Sequence, residues 1–398
     1  MYILVFNGGS SSLKVTLYDY LNLKSHYKAH VDGISLDSCK FKQHILRGED
    51  YEVVNKKVIC KNHDQAFKMV LKGLIDSKIL KKFSEIKVIG HRVVHGGEKL
   101  IEPTFVNPLV KREIKKNFIL APLHNPANYK IITASQKYLK SIPDVAVFDT
   151  AFYQTLPRKA YLYALPMKLY RNYHIRKYGF HGISHEYVSS QTLKLLKKNK
   201  SKIITCHLGN GVSISAIKDG KCVDTSMGFT PMTGAMMGTR IGDFDPSIIR
   251  LLLKKGYTFD NLEKIFNYDS GLKGVSGITS DVRILRDKWF KEKDVRAKLA
   301  LDLYCYDIAK YIGSYILVLG GFDAITFTAG VGQNAWYVRK WICDYLKFSG
   351  LSLDDRKNKK NDLEIHDKKS KIKVFVITTK EGLQIAKVVK NLISQSPL

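Results

Sequence analysis

Several side chains stand where chemistry is convenient, beside glycine or proline or at the end of an apolar run. Asn7 opens the string NGGSSSLK, which groups Ser10, Ser11, Ser12 and Lys14. Glycine lets backbone N–H groups approach an anion with no Cβ in the way, and the hydroxyls and ammonium add donors. Two more glycine-rich turns are expected, at His207-Leu208-Gly209-Asn210-Gly211 and at Gly330-Val331-Gly332-Gln333-Asn334. All three follow apolar runs and suit phosphate. None has the P-loop or dinucleotide-fingerprint spacing. Arg92 in GHRVVHGG and Arg240 in MMGTRIGDFDP present guanidinium forks that match carboxylate or phosphoryl oxygens. Arg240 has a structural alternative, an ion pair with Asp243 or Asp245. His124, His181 and His185 lie beside Pro or Gly turns; His181, between Gly179 and Gly182, is best placed to donate to developing phosphoryl charge, while His185 starts the following helix. Asp149 ends an apolar run, where α/β folds bind ligands. Glu381 begins the last helix, as a dipole partner or as a Mg²⁺ contact.

These groups need strands to present them. Apolar runs predict strands at 2–6, 13–18, 88–94, 145–148, 202–206, 212–217, 324–327 and 373–377. Helical spacing marks 125–139, 297–319 and 381–393, and the charged segment 354–373 reads as a surface loop or hairpin. ILVFNGGSSSLKVTLYD and IITCHLGNGVSISAIKDG both read strand, Asn/Gly turn, strand. This weak internal repeat predicts a two-domain α/β protein with a cleft between its halves.

The chain has 398 residues, 45% hydrophobic, which excludes bulk disorder. Six scattered cysteines predict buried reduced thiols. The opening MYILVFNGGSSS lacks the pattern of a secretory signal, and the longest apolar stretch, 311–332, contains Asp323 and several glycines; a cytoplasmic protein is expected. The net charge of +29 falls largely on lysine clusters without aromatic interleaving or a binding motif. It reads as a solvated surface bias, so neither nucleic acid nor membrane is expected as a partner.

Taken in order, NGGSSSLK, GHRVVHGGE, PLHNP, FDTAFYQTLP, YGFHGISHEYV, HLGNGVSISAI, DTSMGFTPMTGAMMGTRIGDFDP, SGITSDVR and FTAGVGQNAWYVR resemble the acetate kinase family of the acetate and sugar kinase/Hsp70/actin superfamily over nearly the whole chain. The resemblance implies two duplicated actin/Hsp70-like (ribonuclease H-like) α/β domains, with mixed sheets flanked by helices and the active site in the interdomain cleft. The expected boundaries are 1–149 plus 382–398 for the substrate and phosphate side, and 150–381 for the nucleotide and dimer side. The implied activity is reversible phosphoryl transfer from ATP to acetate, giving acetyl phosphate and ADP, with Mg²⁺ or Mn²⁺, in a homodimer. A propionate or butyrate kinase of the same family is the alternative. A non-catalytic ATP switch is disfavoured by the joint presence of Asn7, Arg92, Asp149, His181, Arg240 and Glu381.

By motif, the resemblance assigns Asn7 and Glu381 to the metal, and Arg92 to the acceptor carboxylate. It assigns Val94, Leu123, His124, Phe180 and Pro231 to the acceptor pocket. Asp149 is the family's acid/base group, and His181 and Arg240 stabilise the transition state. Ser12 and Lys14, His207 to Gly211, Asp281, Val282 and Arg283, and Gly330 to Asn334 bind nucleotide. The sequence departs from the family where Val331 and Gln333 replace Ile and Glu, Gly382 replaces a second Glu, Ile241 stands where Ser is common, and TPMTG replaces TPLEG. Gln333 bears on nucleotide preference.

Overall fold

Strand β1 (Tyr2–Gly8) alternates its side chains between two covers. Phe6 stacks on Phe67 of the helix His63–Asp76, at 4.8 Å between ring centroids. Val5 faces the helix Glu381–Gln395, close to Gly90. The computed structural model describes residues 1–198 and 200–395. They form two units, Met1–Ala151 with Lys380–Leu398, and Phe152–Thr379; residues 396–398, assigned above to the first domain, lie outside the described part. Glu381, placed by the sequence reading at the end of the second domain, is grouped with the first unit. Its helix packs on the strands of that sheet.

In the first unit, β1 continues into β2 (Ser12–Asp19), β3 (Ser25–Asp32), β4 (Cys39–Arg47) and β5 (Asp50–Val58), all antiparallel. On its other edge β1 pairs in parallel with β6 (Ile86–Val93), which pairs in parallel with β8 (Asp144–Phe148); the short β7 (Thr104–Phe105) closes that edge. The second unit repeats this plan. Strands β9 (Lys202–Leu208), β10 (Val212–Lys218) and β11 (Lys221–Thr225) form an antiparallel run. Beyond β9, β12 (Ala324–Thr328) and β13 (Lys373–Val376) add in parallel. The order β11-β10-β9-β12-β13 matches β3-β2-β1-β6-β8, so the repeat seen in the sequence is a repeat of topology. Two flanking helices of the second unit are Gly182–Leu196 and Val295–Leu319.

Some sequence expectations change. The predicted turn at 330–334 lies within a helix, Ala329–Asn334, because the buried Arg339 guanidinium binds the Gly332 and Gln333 carbonyls at 2.8 and 2.7 Å. The charged segment 354–373 holds a helix, Asp355–Lys360, whose first turn is capped by Asp354. All six cysteines are buried and unbridged. Among the described residues no helix is long and apolar enough to cross a membrane.

Two stability predictions follow from these contacts. A Cβ on Gly90 would lie 2.8 Å from Ile385 Cγ2 and 3.1 Å from Val389 Cγ2, so Gly90 lets the last helix sit close to β6. Gly90→Val is expected to destabilise by about 1–3 kcal/mol, read as a lower thermal midpoint; an unchanged midpoint would refute the close fit. His185 is fully buried, with Nδ1 2.6 Å from Thr205 Oγ1 and Nε2 2.9 Å from Ser213 Oγ. Burial first, and the neighbouring His207 second, hold its pKa well below the ordinary 6.5. The unfolded chain therefore binds a proton there that the folded chain refuses. That stability is present above pH 6.5 and is lost on acidification below it, by up to about 1.4 kcal/mol per pH unit. The melting point of wild type should fall more steeply than that of His185→Gln between pH 7 and 5; parallel profiles would contradict this.

Candidate active site

In the first unit the candidate side chains Asn7, Arg92 and Asp149 sit where β1, β6 and β8 end. The β1–β2 turn is tight, with Gly9 N–H on the Ser12 carbonyl at 2.8 Å. The strands run further into this turn than the sequence suggests, so Asn7 lies on β1, opposite Lys14 on β2. Directly opposed residues share a face of the sheet, and the Lys14 side chain is exposed. Arg92, on β6, donates from Nε and Nη2 to the Asp149 carboxylate, the latter bond at 2.5 Å. Its Nη1 donates to Asn7 Oδ1 at 3.1 Å and lies 4.0 Å from Glu381 Oε2. Asn7 Nδ2 donates to Glu381 Oε2 at 2.9 Å. Burial by itself would lower the Arg92 pKa; the charges of Asp149 and then Glu381 outweigh it and raise the group above its ordinary value. Asn7, Arg92, Asp149 and Glu381 thus form one connected cluster. Carboxamide and carboxylate oxygens are hard donors of the kind that Mg²⁺ takes, so Asn7 and Glu381 fit a divalent ion.

The residues expected to shape the acceptor pocket fall in both units, and each set is described in its own. In the first, Val94 is buried just beyond Arg92, Leu123 is exposed, and His124 precedes the helix Asn125–Tyr138 as its N-cap. In the second, Phe180 is buried, and the Pro231 carbonyl accepts from Arg240 Nη1 at 3.1 Å.

The second unit builds a donor cluster around Gly211. A Cβ there would stand 3.3 Å from both Arg240 Nη1 and His181 Nε2, so the absence of a side chain leaves both donors converging on one place. His181 is held at φ 57° at the N-cap of the helix Gly182–Leu196. Its ring stacks on His207 at 4.2 Å and 13°. The carbonyl before it, of Phe180, takes the hydroxyl of the buried Tyr153 at 2.5 Å. His207 Nδ1 lies 2.8 Å from Ser184 Oγ, which donates to Thr379 Oγ1 at 2.8 Å. Burial pushes the Arg240 pKa down, with Tyr268 partly opposing. The structural alternative for Arg240 is not taken: Asp243 accepts from Gly234 N–H and Asp245 from Ser247 N–H.

The expected nucleotide segments also group within this unit. Leu208 is buried at the end of β9, Gly209 N–H closes on the Gly211 carbonyl at 3.0 Å, and Asn210 is exposed. His207 pairs with Thr328 across the β9–β12 ladder, and a Cβ on Gly209 would lie 3.8 Å from Ala329 Cβ. Along the following helix Gly332 is buried, Gly330 and Asn334 are exposed, and Val331 and Gln333 are half-buried. Thr378 Oγ1 donates to Gln333 Oε1 at 3.5 Å. Asp281 caps the helix Val282–Glu292, Val282 is buried there, and the exposed Arg283 pairs with Asp281 at 2.6 Å.

Sequence reasoning missed Tyr153 and Arg339. Both stood inside recognised strings, but no spacing says that a tyrosine holds the carbonyl before His181 or that an arginine holds a helix end. The available signal was that a buried hydroxyl or guanidinium must find partners.

The profile of the acetokinase family matches residues 2–387. An acetate kinase of Acetivibrio thermocellus is 46% identical over 403 residues, covering 98% of this chain and 100% of that protein. One from Clostridium novyi is 46% identical over 403 residues, covering 100% and 99%. Among solved structures, Porphyromonas gingivalis acetate kinase superposes with a TM-score of 0.90 at 38% identity, covering 98% of this chain and 99% of that one. A Francisella tularensis propionate kinase superposes equally, at 0.90 and 38%, covering 97% and 98%. The sequence, the two mixed sheets and the clusters at their strand ends agree with these matches, and the chain belongs to the acetokinase family.

Proposed function

We propose that this chain is an acetate kinase, transferring the γ-phosphoryl group of ATP to acetate, reversibly and with Mg²⁺. The observation that carries the reading is the Arg92 cluster: a half-buried guanidinium fixed by Asp149 beside two hard oxygen donors, Asn7 and Glu381. Acetate is favoured over propionate because the curated relatives at 46% identity are named acetate kinases. Mn²⁺ is expected to replace Mg²⁺.

Acetate is ionised at neutral pH, so its oxygen needs no strong base to attack phosphorus. A P–O bond forms to acetate while the bond from the γ-phosphorus to the bridging oxygen breaks, and ADP leaves with the electron pair. Catalysis is then mostly positioning and charge stabilisation. Arg92 receives the acetate carboxylate; Asp149 acts through Arg92, fixing its plane with bonds from Nε and Nη2. Val94, Leu123, His124, Phe180 and Pro231 shape the acceptor pocket. Asn7 and Glu381 hold the divalent ion, which when bound offsets phosphate charge. His181 and Arg240 meet the equatorial oxygens of the transferring group. Ser12, Lys14, the turn at Gly209 to Gly211 and the segments around Asp281 and Gln333 bind ATP.

Hydroxylamine trapping with ATP, Mg²⁺ and acetate should give acetohydroxamate, with propionate turned over less well. Arg240→Ala should lower kcat by about two decades or more if its role lies in the transition state. A folded wild type that forms no hydroxamate from any short acid would end the reading, and an Arg240→Ala defect confined to the acetate KM would end the role given to that residue.

The same reading makes the protein a cytoplasmic homodimer, which suits its six unbridged thiols. The helix Val295–Leu319 exposes Leu299, Leu303, Tyr306 and Leu317, apolar surface that a second copy would cover. Sedimentation equilibrium should return twice the chain mass at micromolar concentration. A single-chain mass there would rule the dimer out.

A further inference from the structure

The β1–β6 ladder ends at the pair Phe6↔His91, one residue short of the chemistry on each strand. Beyond it Asn7 and Gly8 pair only with β2, and Arg92 and Val93 pair only with β8. The two strands part there, and the fork between them carries the Asn7 and Arg92 side chains. Besides the Arg92–Asn7 bond, a third side chain spans the fork and joins the two backbones. Asn128, on the helix Asn125–Tyr138, is 2% exposed. Its Nδ2 donates to the Gly8 carbonyl at 2.8 Å, and its Oδ1 accepts from Val94 N–H at 3.1 Å. The orientation of the amide is forced, because a peptide N–H can only donate and a peptide carbonyl can only accept.

A carboxamide carries one donor and one acceptor in the same relation as a peptide group. Asn128 therefore supplies the missing rung between β1 and β6 without drawing the strands together. Its helix also fixes the approach. Ile131, one turn along the same face, lies so close to Gly8 that a Cβ there would stand 2.0 Å from its Cδ1. Asn125, the first residue of that helix, clasps the next link of the chain, accepting from His95 N–H at 3.0 Å and donating to the His95 carbonyl at 2.9 Å.

We propose that Asn128 is a positioning residue, setting the spacing between the metal-holding end of β1 and the acceptor-binding end of β6. This rests on the roles proposed above for Asn7 and Arg92. Asn128→Asp keeps the acceptor for Val94 and turns a carboxylate oxygen toward the Gly8 carbonyl. Asn128→Ser removes the reach to both.

The test is steady-state kinetics on the full-length chain, with thermal melting alongside. In folded Asn128→Asp the acetate KM and the Mg²⁺ activation constant should each rise about tenfold or more, with the ATP KM within about twofold of wild type. The defect should shrink as pH falls, because a protonated carboxyl can again donate to Gly8 while accepting from Val94. Acetate and Mg²⁺ constants unchanged in both folded variants would overturn the proposal, as would an equal loss for acetate, Mg²⁺ and ATP. Should neither variant fold, hydrogen exchange on wild type decides: a Val94 amide as protected as the β6 ladder is required, and a fast-exchanging one refutes the rung. A wild type inactive on acetate would instead count against the functional reading.

Discussion

A guanidinium shielded from water must find partners for its charge or its donors, and Arg92 draws them from far-separated parts of the first unit. Its side chain is 15% exposed and that of Asp149 2%, so water does little to screen either. Removing one partner from such a pair leaves an uncompensated charge and costs more than the pair contributes. The answer comes from three places in the sequence. Asp149 arrives at the end of β8, Asn7 at the end of β1, and Glu381 at the start of the last helix, more than 370 residues after Asn7. Parallel pairing of β1 with β6 and of β6 with β8 brings these ends to one edge. The glycine at position 90 lets the last helix lie close enough to deliver Glu381.

The two clusters answer their arginines differently. Around Arg92 one cation faces two carboxylates, whose hard oxygens are of the kind a divalent cation takes. Around Gly211 the arginine is placed differently. Among the described residues no carboxylate pairs with Arg240, which rests on the Pro231 carbonyl and has its pKa lowered by burial. Under the proposed function this cation is the one that meets the transferring phosphoryl group. Arg339 shows the other way to bury a guanidinium. Burial pulls its pKa down to about 10, and bonds to the Gly332, Gln333 and Asn358 carbonyls and to Asn358 and Asn361 side chains occupy its donors. It is spent on structure; Arg240 is not.

What the sequence made legible was local. The apolar strands at 88–94 and 202–206 and the helix at 125–139 were found within a few residues, because burial on both faces or one helical face writes itself into composition. Strands β3 to β5 escaped. Their outward positions carry Lys28, Lys40, Lys42 and Lys57, which dilute the apolar signal while the inward residues Tyr27, Val31 and Phe41 do the packing. The helix Ala329–Asn334 escaped because two glycines in six residues read as a turn, and no spacing says that the guanidinium of Arg339, a few residues on, holds its carbonyls. At the site, the residues that touch one another were named from motifs. The ones that fix them, Tyr153, Asn128 and Arg339, were not, since their partners are backbone groups brought near only by the fold.

The same distinction between local and folded information explains the charge. A chain at +29 looks made for polyanions. Yet many of its lysines are exposed, and several pair along their own helices, Lys288 with Glu292, Lys291 with Asp287 and Lys298 with Asp302. Exposed pairs of this kind contribute little to stability, about 0.3–0.5 kcal/mol in a helix. The arginines that shape the site owe their strength to burial and geometry, which salt barely reaches. Ionic strength should therefore act on how fast anionic nucleotides arrive, through the surface lysines, and scarcely on the clusters that receive them. On the proposed function the surface charge tunes encounter, and the enclosed Arg92 and Arg240 decide what is bound.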